Sequence, residues 1–337
     1  MCKALANLAA VYLFYDVHVD THTQPLTSTN HCVLLSRSLG HHGRTLSFDL
    51  DAPREDFEQS LVARYIAQIL PNLPNIRYLR VWCHAWKTMK TETNSAITNA
   101  ISKLQHLESV VFNGAGYRSL DKIYSPPSPT FFDTTFNGIL SSHAERLTSI
   151  TLDICPFHCA PGALQLLRET AKNLQVLILN ASLPRSLWQI FSQPVIWACA
   201  NRLVILDITE IHGVYVPILV EHIASGRFGN LKRLLIDMRW SERDRHIVIP
   251  DIEWNIRPLD AIMLNQVPML ELEVLGCLHA KEVHVEGVSE HAMIELVQGG
   301  RFKEMGILRI WKRDWKCIQL EELASACANR NAKLLTI

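Results

Sequence analysis

Hydrophobic positions along this chain recur in short bursts of the form L-x-x-L-x-L, three apolar residues that anchor one short strand. The clearest bursts are IRYLRV, LESVVF, LTSITL, LQVLIL, LVILDI, LKRLLI and MGILRI, centred on Leu79, Val110, Ile150, Leu177, Leu206, Leu234 and Leu308. Weaker ones centre on Leu46, Val283 and Leu335. A chain this rich in aliphatic residues produces such windows by chance, so register carries the argument rather than number. Successive centres are 33, 31, 40, 27, 29, 28, 49, 25 and 27 residues apart. With the 40 and the 49 set aside, the mean is about 29, a repeat period.

Longer echoes keep that register. Gly226-Arg227-Phe228 returns as Gly300-Arg301-Phe302, each Arg seven residues before its strand centre. Cys199-Ala200-Asn201-Arg202 returns as Cys327-Ala328-Asn329-Arg330, and Trp82 and Trp86 are echoed by Trp311 and Trp315. Between the strands the apolar spacing turns helical, over 55–70, 163–171 and 216–224. Gly226 and Gly300 stand where a glycine ends a helix, and Pro53, Pro161, Pro184 and Pro217 stand near helix starts. One strand–helix pair cannot bury its apolar face alone, so the pattern predicts stacked pairs sharing a continuous core. Insertions are expected around residues 125–129, which are Pro-rich, and, as the largest, between residues 240 and 256.

The pattern resembles leucine-rich repeat proteins, specifically the irregular ones attached to F-boxes in fungi. N-L or R-L opens a strand at Asn173-Leu174, Arg202-Leu203 and Asn230-Leu231. The resemblance implies an α/β fold: a right-handed, irregular, horseshoe-like leucine-rich-repeat solenoid with a parallel sheet on the concave face and helices on the convex face. About 10–11 repeats would fill residues 16–337. The chain departs from the conventional L-x-x-L-x-L-x-x-N unit, whose Asn forms an internal ladder. That position holds Asp51, His84, Ala115, Cys155, Ser182, Ile211, Arg239, Val288 and Arg313 here.

Residues 1–15 carry a second resemblance. Cys2-Lys3-Ala4-Leu5, then Leu13-Phe14-Tyr15, is similar to the last helix of an F-box, followed by a first strand at Asp16-Val17-His18-Val19. Leu5, Leu8 and Leu13 would be the remnant of the surface that meets the Skp adaptor. The helices that carry most of that contact would precede Met1, so the adaptor is expected to bind only a chain with the full F-box. The other reading of this segment is a plain capping helix, which a solenoid needs in any case.

Composition narrows the function classes. The 337 residues carry 33 Lys plus Arg and 33 Asp plus Glu, hence no net charge, which argues against nucleic-acid or membrane-surface binding. No uncharged apolar run is long enough to span a bilayer. Nine cysteines, an odd number without C-x-x-C, argue for reduced thiols in a cytoplasmic or nuclear protein. The apolar start after Lys3 lacks a convincing cleavage site. Cys155, His158 and Cys159 fall short of a zinc set, His18 and His22 straddle a strand end, and His41-His42-Gly43 reads as a turn. No nucleophile elbow, phosphate loop or dinucleotide fingerprint occurs. The expectation is a monomer without catalytic activity, cofactor or metal.

The candidate site is therefore the outward side of the strands. Three residues past each centre the chain reads Asp49, Trp82, Asn113, Asp153, Asn180, Thr209, Asp237, Glu286 and Trp311. One residue past centre it includes Arg80, Asp207, His284 and Arg309, with Val111, Ile178 and Leu235 as an apolar middle. Strand alternation turns both columns away from the core. Arg80, Trp82, Asn113, Asp153, Asn180, Asp207, Asp237, His284, Glu286, Arg309 and Trp311 are the predicted client-binding residues. Their acidic bias suits a protein segment carrying basic residues. The resemblance implies the substrate-receptor arm of an SCF-type (cullin–RING) ubiquitin ligase. The alternatives are a stand-alone repeat scaffold and, from another class, an enzyme or a secreted recognition protein.

Overall fold

The computed structural model describes residues 15–20, 37, 39–50, 66–83, 91–113, 131–153, 172–180, 195–209, 211–238, 257–311 and 316–337. They fall into two compact units, Met1–Leu174 with Gln193–Cys199, and Gln175–Ser192 with Ala200–Ile337.

In the first unit, β1 (Asp16–Asp20), β2 (Thr45–Leu50), β3 (Tyr78–Cys83), β4 (Ser109–Asn113) and β5 (Ser149–Asp153) pair in parallel in chain order. Val17, Leu46, Leu79, Val110 and Ile150 stand in one row. In the second unit, β6 (Val176–Asn180), β7 (Ile205–Thr209), β8 (Arg233–Asp237), β9 (Leu259–Asn265), β10 (Ala280–Glu286), β11 (Ile307–Ile310) and β12 (Lys333–Thr336) do the same. Their row reads Leu177, Leu206, Leu234, Ile262, Val283, Leu308 and Leu334. Parallel strands joined by crossovers are what the repeat period requires. Alternation is clean: in β6 and β7 the second and fourth residues are buried and the others half-buried.

The ladders that join β1 to β5 and β6 to β9 start alike. A carbonyl just before one strand accepts two amides from the next, as Arg44 O does from Arg77 N and Tyr78 N, and Lys232 O from Asp260 N and Ala261 N. That shared acceptor fixes where each strand begins, and with it the face each side chain takes.

Two expectations change. The interval of 49 residues conceals a strand, β9, whose Leu259, Ile262 and Leu264 are buried anchors fitting the same three-residue template. The last centre is Leu334 rather than Leu335, because Leu308 pairs with Leu334 and Arg309 with Leu335. Two adjacent leucines leave that parity open in sequence, and only the partner strand resolves it. The insertions expected around 125–129 and between 240 and 256 lie outside the described residues, as do the helix over 163–171 and residues 55–65 of the helix over 55–70.

Six α-helices are bounded among the described residues: α1 (Thr91–Ile101), α2 (Phe131–His143), α3 (Val216–Ala224), α4 (Met269–Leu275), α5 (Glu290–Gln298) and α6 (Cys317–Asn329), with further helical residues at 66–69 and 195–199. α3 has the bounds its apolar spacing predicts, with Pro217 in its first turn. Gly226 and Gly300, just past the ends of α3 and α5, take positive φ of 83° and 76°, a conformation that costs glycine little. α1 packs on α2, α3 on α4 and α5 on α6. Between α1 and α2 a Cβ on Gly138 would come within 2.2 Å of Thr98 Cγ2, so glycine sets that approach. His143, at the end of α2, reaches the carbonyl of Ile101 with Nε2 at 3.1 Å, where the amide of Leu104 also donates at 3.0 Å, and so ties the ends of α1 and α2 together.

The echoed residues fill equivalent core places. Phe228 and Phe302 are fully buried, as are Cys199 and Cys327. Each fully buried large aliphatic or aromatic side chain contributes about 1.5–3 kcal/mol. Among the described residues no helix is long and apolar enough to cross a membrane.

Candidate docking face

Residues on the far side of the strands from the core form three parallel rows in the second unit. The row one past centre reads Ile178, Asp207, Leu235, Met263, His284 and Arg309. The row three past centre reads Asn180, Thr209, Asp237, Asn265 and Glu286, with Trp311 directly after β11. The row one before centre contributes Glu282 on β10.

These rows surround a concavity of about 390 Å³ that reaches from Asp207 on β7 to Trp311 and Ile337. Six predicted residues line it: Asp207, Asp237, His284, Glu286, Arg309 and Trp311. Asn180 lies on β6 of the same unit, where its Oδ1 accepts from Thr209 Oγ1 at 3.0 Å. Arg80, Trp82, Asn113 and Asp153 belong to the rows of the first unit. Arg80 is exposed there, and for Trp82, Asn113 and Asp153 only the strand positions are described. Trp86 and Trp315 lie outside the described residues, as do His22, Cys155, His158 and Cys159.

The sequence reading missed Met263, Asn265 and Ile337, which also line the concavity. The first two went unseen because β9 was not recognised, although its anchors were legible. Nothing in sequence brings the chain end to this face.

The surface mixes the two kinds, with Leu235 and Met263 adjacent in the row one past centre and Trp311 closing the row three past centre. Met263 and Trp311 are 42% and 39% exposed, an unusual cost for large apolar side chains among the strands of one sheet. Asn265 Nδ2 donates to Asp237 Oδ2 at 2.7 Å and holds it in place. Glu282 Oε2 takes His284 Nε2 at 3.2 Å and Arg309 Nε at 3.4 Å. The hydrogen bond from His284, aided by Arg309, holds the Glu282 carboxyl below its ordinary value. Asp207 behaves oppositely. Burial, and then the neighbouring charge of Asp237, push its carboxyl above the ordinary range. Asp207 sits opposite Leu235, and Asp237 is the diagonal neighbour two residues further along β8.

Chemically, the face offers carboxylates, one guanidinium already engaged by a carboxylate, and exposed apolar area. Among the described residues no group of three or more His, Cys, Asp or Glu is placed to hold a metal ion. Three described cysteines form no disulfide: Cys199 and Cys327 are buried and Cys277 is half-buried. Burial raises the thiol of Cys327 to about 11, which makes it a poor nucleophile.

No protein-family model matches this chain, and no curated protein matches it. Among solved structures the chain is similar to the leucine-rich repeat-containing protein LegL7 from Legionella pneumophila. The TM-score is 0.54 at 11% identity, over 95% of this chain and 90% of that one. A protein from Bacteroides fragilis gives a TM-score of 0.40 at 12% identity over 75% of this chain and 66% of its own, too slight a likeness to carry an argument. At such identities a likeness speaks for the fold alone. With the strand rows, the shared carbonyls and the repeat period, it establishes that this chain has a leucine-rich-repeat fold.

Proposed function

We propose that this protein is a non-catalytic interaction module and that it holds another protein on the outward face of β7–β11. The observation that carries the reading is the exposure of Met263 and Trp311 beside a concavity lined by Asp207 and Asp237. Aromatic and Met side chains are enriched at the centres of protein interfaces, and their exposure on a free sheet face is costly unless something covers it. The protein acts as a monomer in the cytoplasm or nucleus on this reading, and its role is positional.

The test is photocrosslinking in cells. A benzophenone amino acid at Met263 should capture a protein, whereas the same group at Ser325, exposed on α6, should not. Equal capture from both positions, or none from Met263, would end the proposal.

A finer reading makes this face the substrate-receptor arm of an SCF-type ubiquitin ligase. It is supported by the F-box-like phrase placed directly before β1, Cys2-Lys3-Ala4-Leu5 and Leu13-Phe14-Tyr15. Leu5, Leu8 and Leu13, the proposed adaptor contacts, lie outside the described residues. Coding sequence upstream of Met1 should contain an L-P-x-E-[IV]-type helix, and the extended chain should bind purified Skp adaptor where residues 1–337 do not. Binding of Skp by residues 1–337 alone, or a stop codon upstream, would remove the ligase link and leave a stand-alone scaffold.

A further inference from the structure

We propose that the occupant of this face is an extended segment of a partner protein, about six residues long, that brings one Lys or Arg to Asp207 and Asp237 and an apolar side chain to Trp311. The inference rests on the interaction reading above and names the chemistry of its partner.

The concavity is polarised. At the β7–β8 end, Asp207 is half-buried and accepts no hydrogen bond among the described residues, with the carboxylate of Asp237 as its diagonal neighbour. Two carboxylates over the apolar Leu235, partly shielded from water, create a local negative potential that an incoming ammonium or guanidinium would relieve. The cation within the lining, Arg309, stands on β11 and is engaged by Glu282. At the far end Glu282 Oε2 holds His284 Nε2 and Arg309 Nε, and Trp311 and Ile337 offer exposed apolar area, Ile337 at 57%. Cation binding and apolar burial are thus assigned to opposite ends.

Geometry sets the length. The backbone groups of β7–β11 are consumed by ladders on both sides, so a partner cannot add a strand here and must be read through side chains. Adjacent strands lie about 4.8 Å apart, so four spacings from β7 to β11 cover about 19 Å. An extended chain advances about 3.3 Å per residue, giving about six residues; the three spacings from Asp237 on β8 to Trp311 after β11 cover about 14 Å, so the basic and apolar side chains stand about four positions apart. The same carboxylates repel a phosphate backbone, which disfavours RNA.

The experiment is selection of random octapeptides displayed on phage against residues 1–337, followed by fluorescence anisotropy with the enriched peptides as labelled probes. Enriched peptides should pair Lys or Arg with Trp, Phe, Leu, Ile or Met about four positions away. Asp207→Asn and Trp311→Ala should each weaken binding at least fivefold, and 0.5 M NaCl should weaken it similarly. Glu321→Gln, exposed on α6, should leave it unchanged. Enriched peptides that are neutral or acidic, or that are indifferent to Asp207→Asn, overturn this inference while leaving the interaction reading intact. No enrichment also overturns it, and the crosslink at Met263 then decides the interaction reading separately. A crosslink at Met263 to a second copy of this chain alone overturns the inference in favour of self-association.

Discussion

Asn230 donates from Nδ2 to the main-chain carbonyl of Asn201 at 2.8 Å, 29 residues earlier. Asn75 makes the same bond to His41 O at 2.7 Å, and Asn173 makes it to Glu145 O. In every case the donor stands four residues before its strand centre and the acceptor five before the preceding centre. Arg330 occupies the donor position before β12 and reaches Arg301 O and Phe302 O. The exposed Asn bonds join successive repeats at the end of the strand opposite to the Asn position of conventional repeats. Where those repeats place Asn, this chain buries Ile211 and Val288. Replacing Asn230 by Ala should cost about 0.5–1 kcal/mol, the value of one exposed bond, and Asn75→Ala the same. Urea unfolding with unchanged m would register it, and no shift in midpoint for either variant would show that these bonds are decorative.

Gly138→Ala should destabilise the protein by about 1–3 kcal/mol, because its new methyl meets Thr98 Cγ2 at 2.2 Å. Thr98→Ser deletes that carbon and keeps the hydroxyl, so the double variant should regain most of the loss. Additive losses in this cycle would mean that α1 and α2 do not touch there.

Asp207 should make the fold less stable as pH rises. Its carboxyl is raised in the folded state by burial and by Asp237, so the folded protein binds a proton that the unfolded chain releases. Stability therefore falls as pH climbs from the ordinary value of 3.8 through the raised one, and the penalty is complete at neutral pH. Asp207→Asn should melt higher than wild type at pH 7 and nearly equal to it near pH 3. A lower melting temperature at pH 7 would show that Asp207 supports the fold rather than the surface.

His143 has the opposite sign. Burial lowers it, against the hydrogen bond to Ile101, with Arg146 adding to the lowering. The unfolded chain then takes up the proton first, so stability should decline as pH falls below 6.5, down to the lowered value. His143→Gln, which can still donate to Ile101 O, should flatten that part of the thermal-stability profile. An unchanged slope between pH 6.5 and 5 would assign it to other groups.

How far the sequence reached can be seen at particular strands. β3 to β8 and β11 were legible because three anchors in a fixed register leave one buried face. β9 is equally legible in Leu259, Ile262 and Leu264, but the 49-residue interval that contains it reads as one repeat with an insertion. β12 shifted by one because Leu334 and Leu335 are interchangeable until a neighbour fixes parity. Of the predicted site, Asp207 and Asp237 were assigned to separate columns, and their diagonal contact across β7 and β8 emerged only from strand pairing.

By itself, then, the sequence determined the repeat, the parallel strands, the buried row and the outward columns, since these follow from local periodicity and one rule of alternation. Tertiary structure alone decided which columns touch, where Asn75, Asn173 and Asn230 find their acceptors, and that Ile337 comes to lie beside Trp311 on one concavity. Those relations join residues tens of positions apart. No local pattern encodes them, because they depend on how each repeat settles on its neighbour.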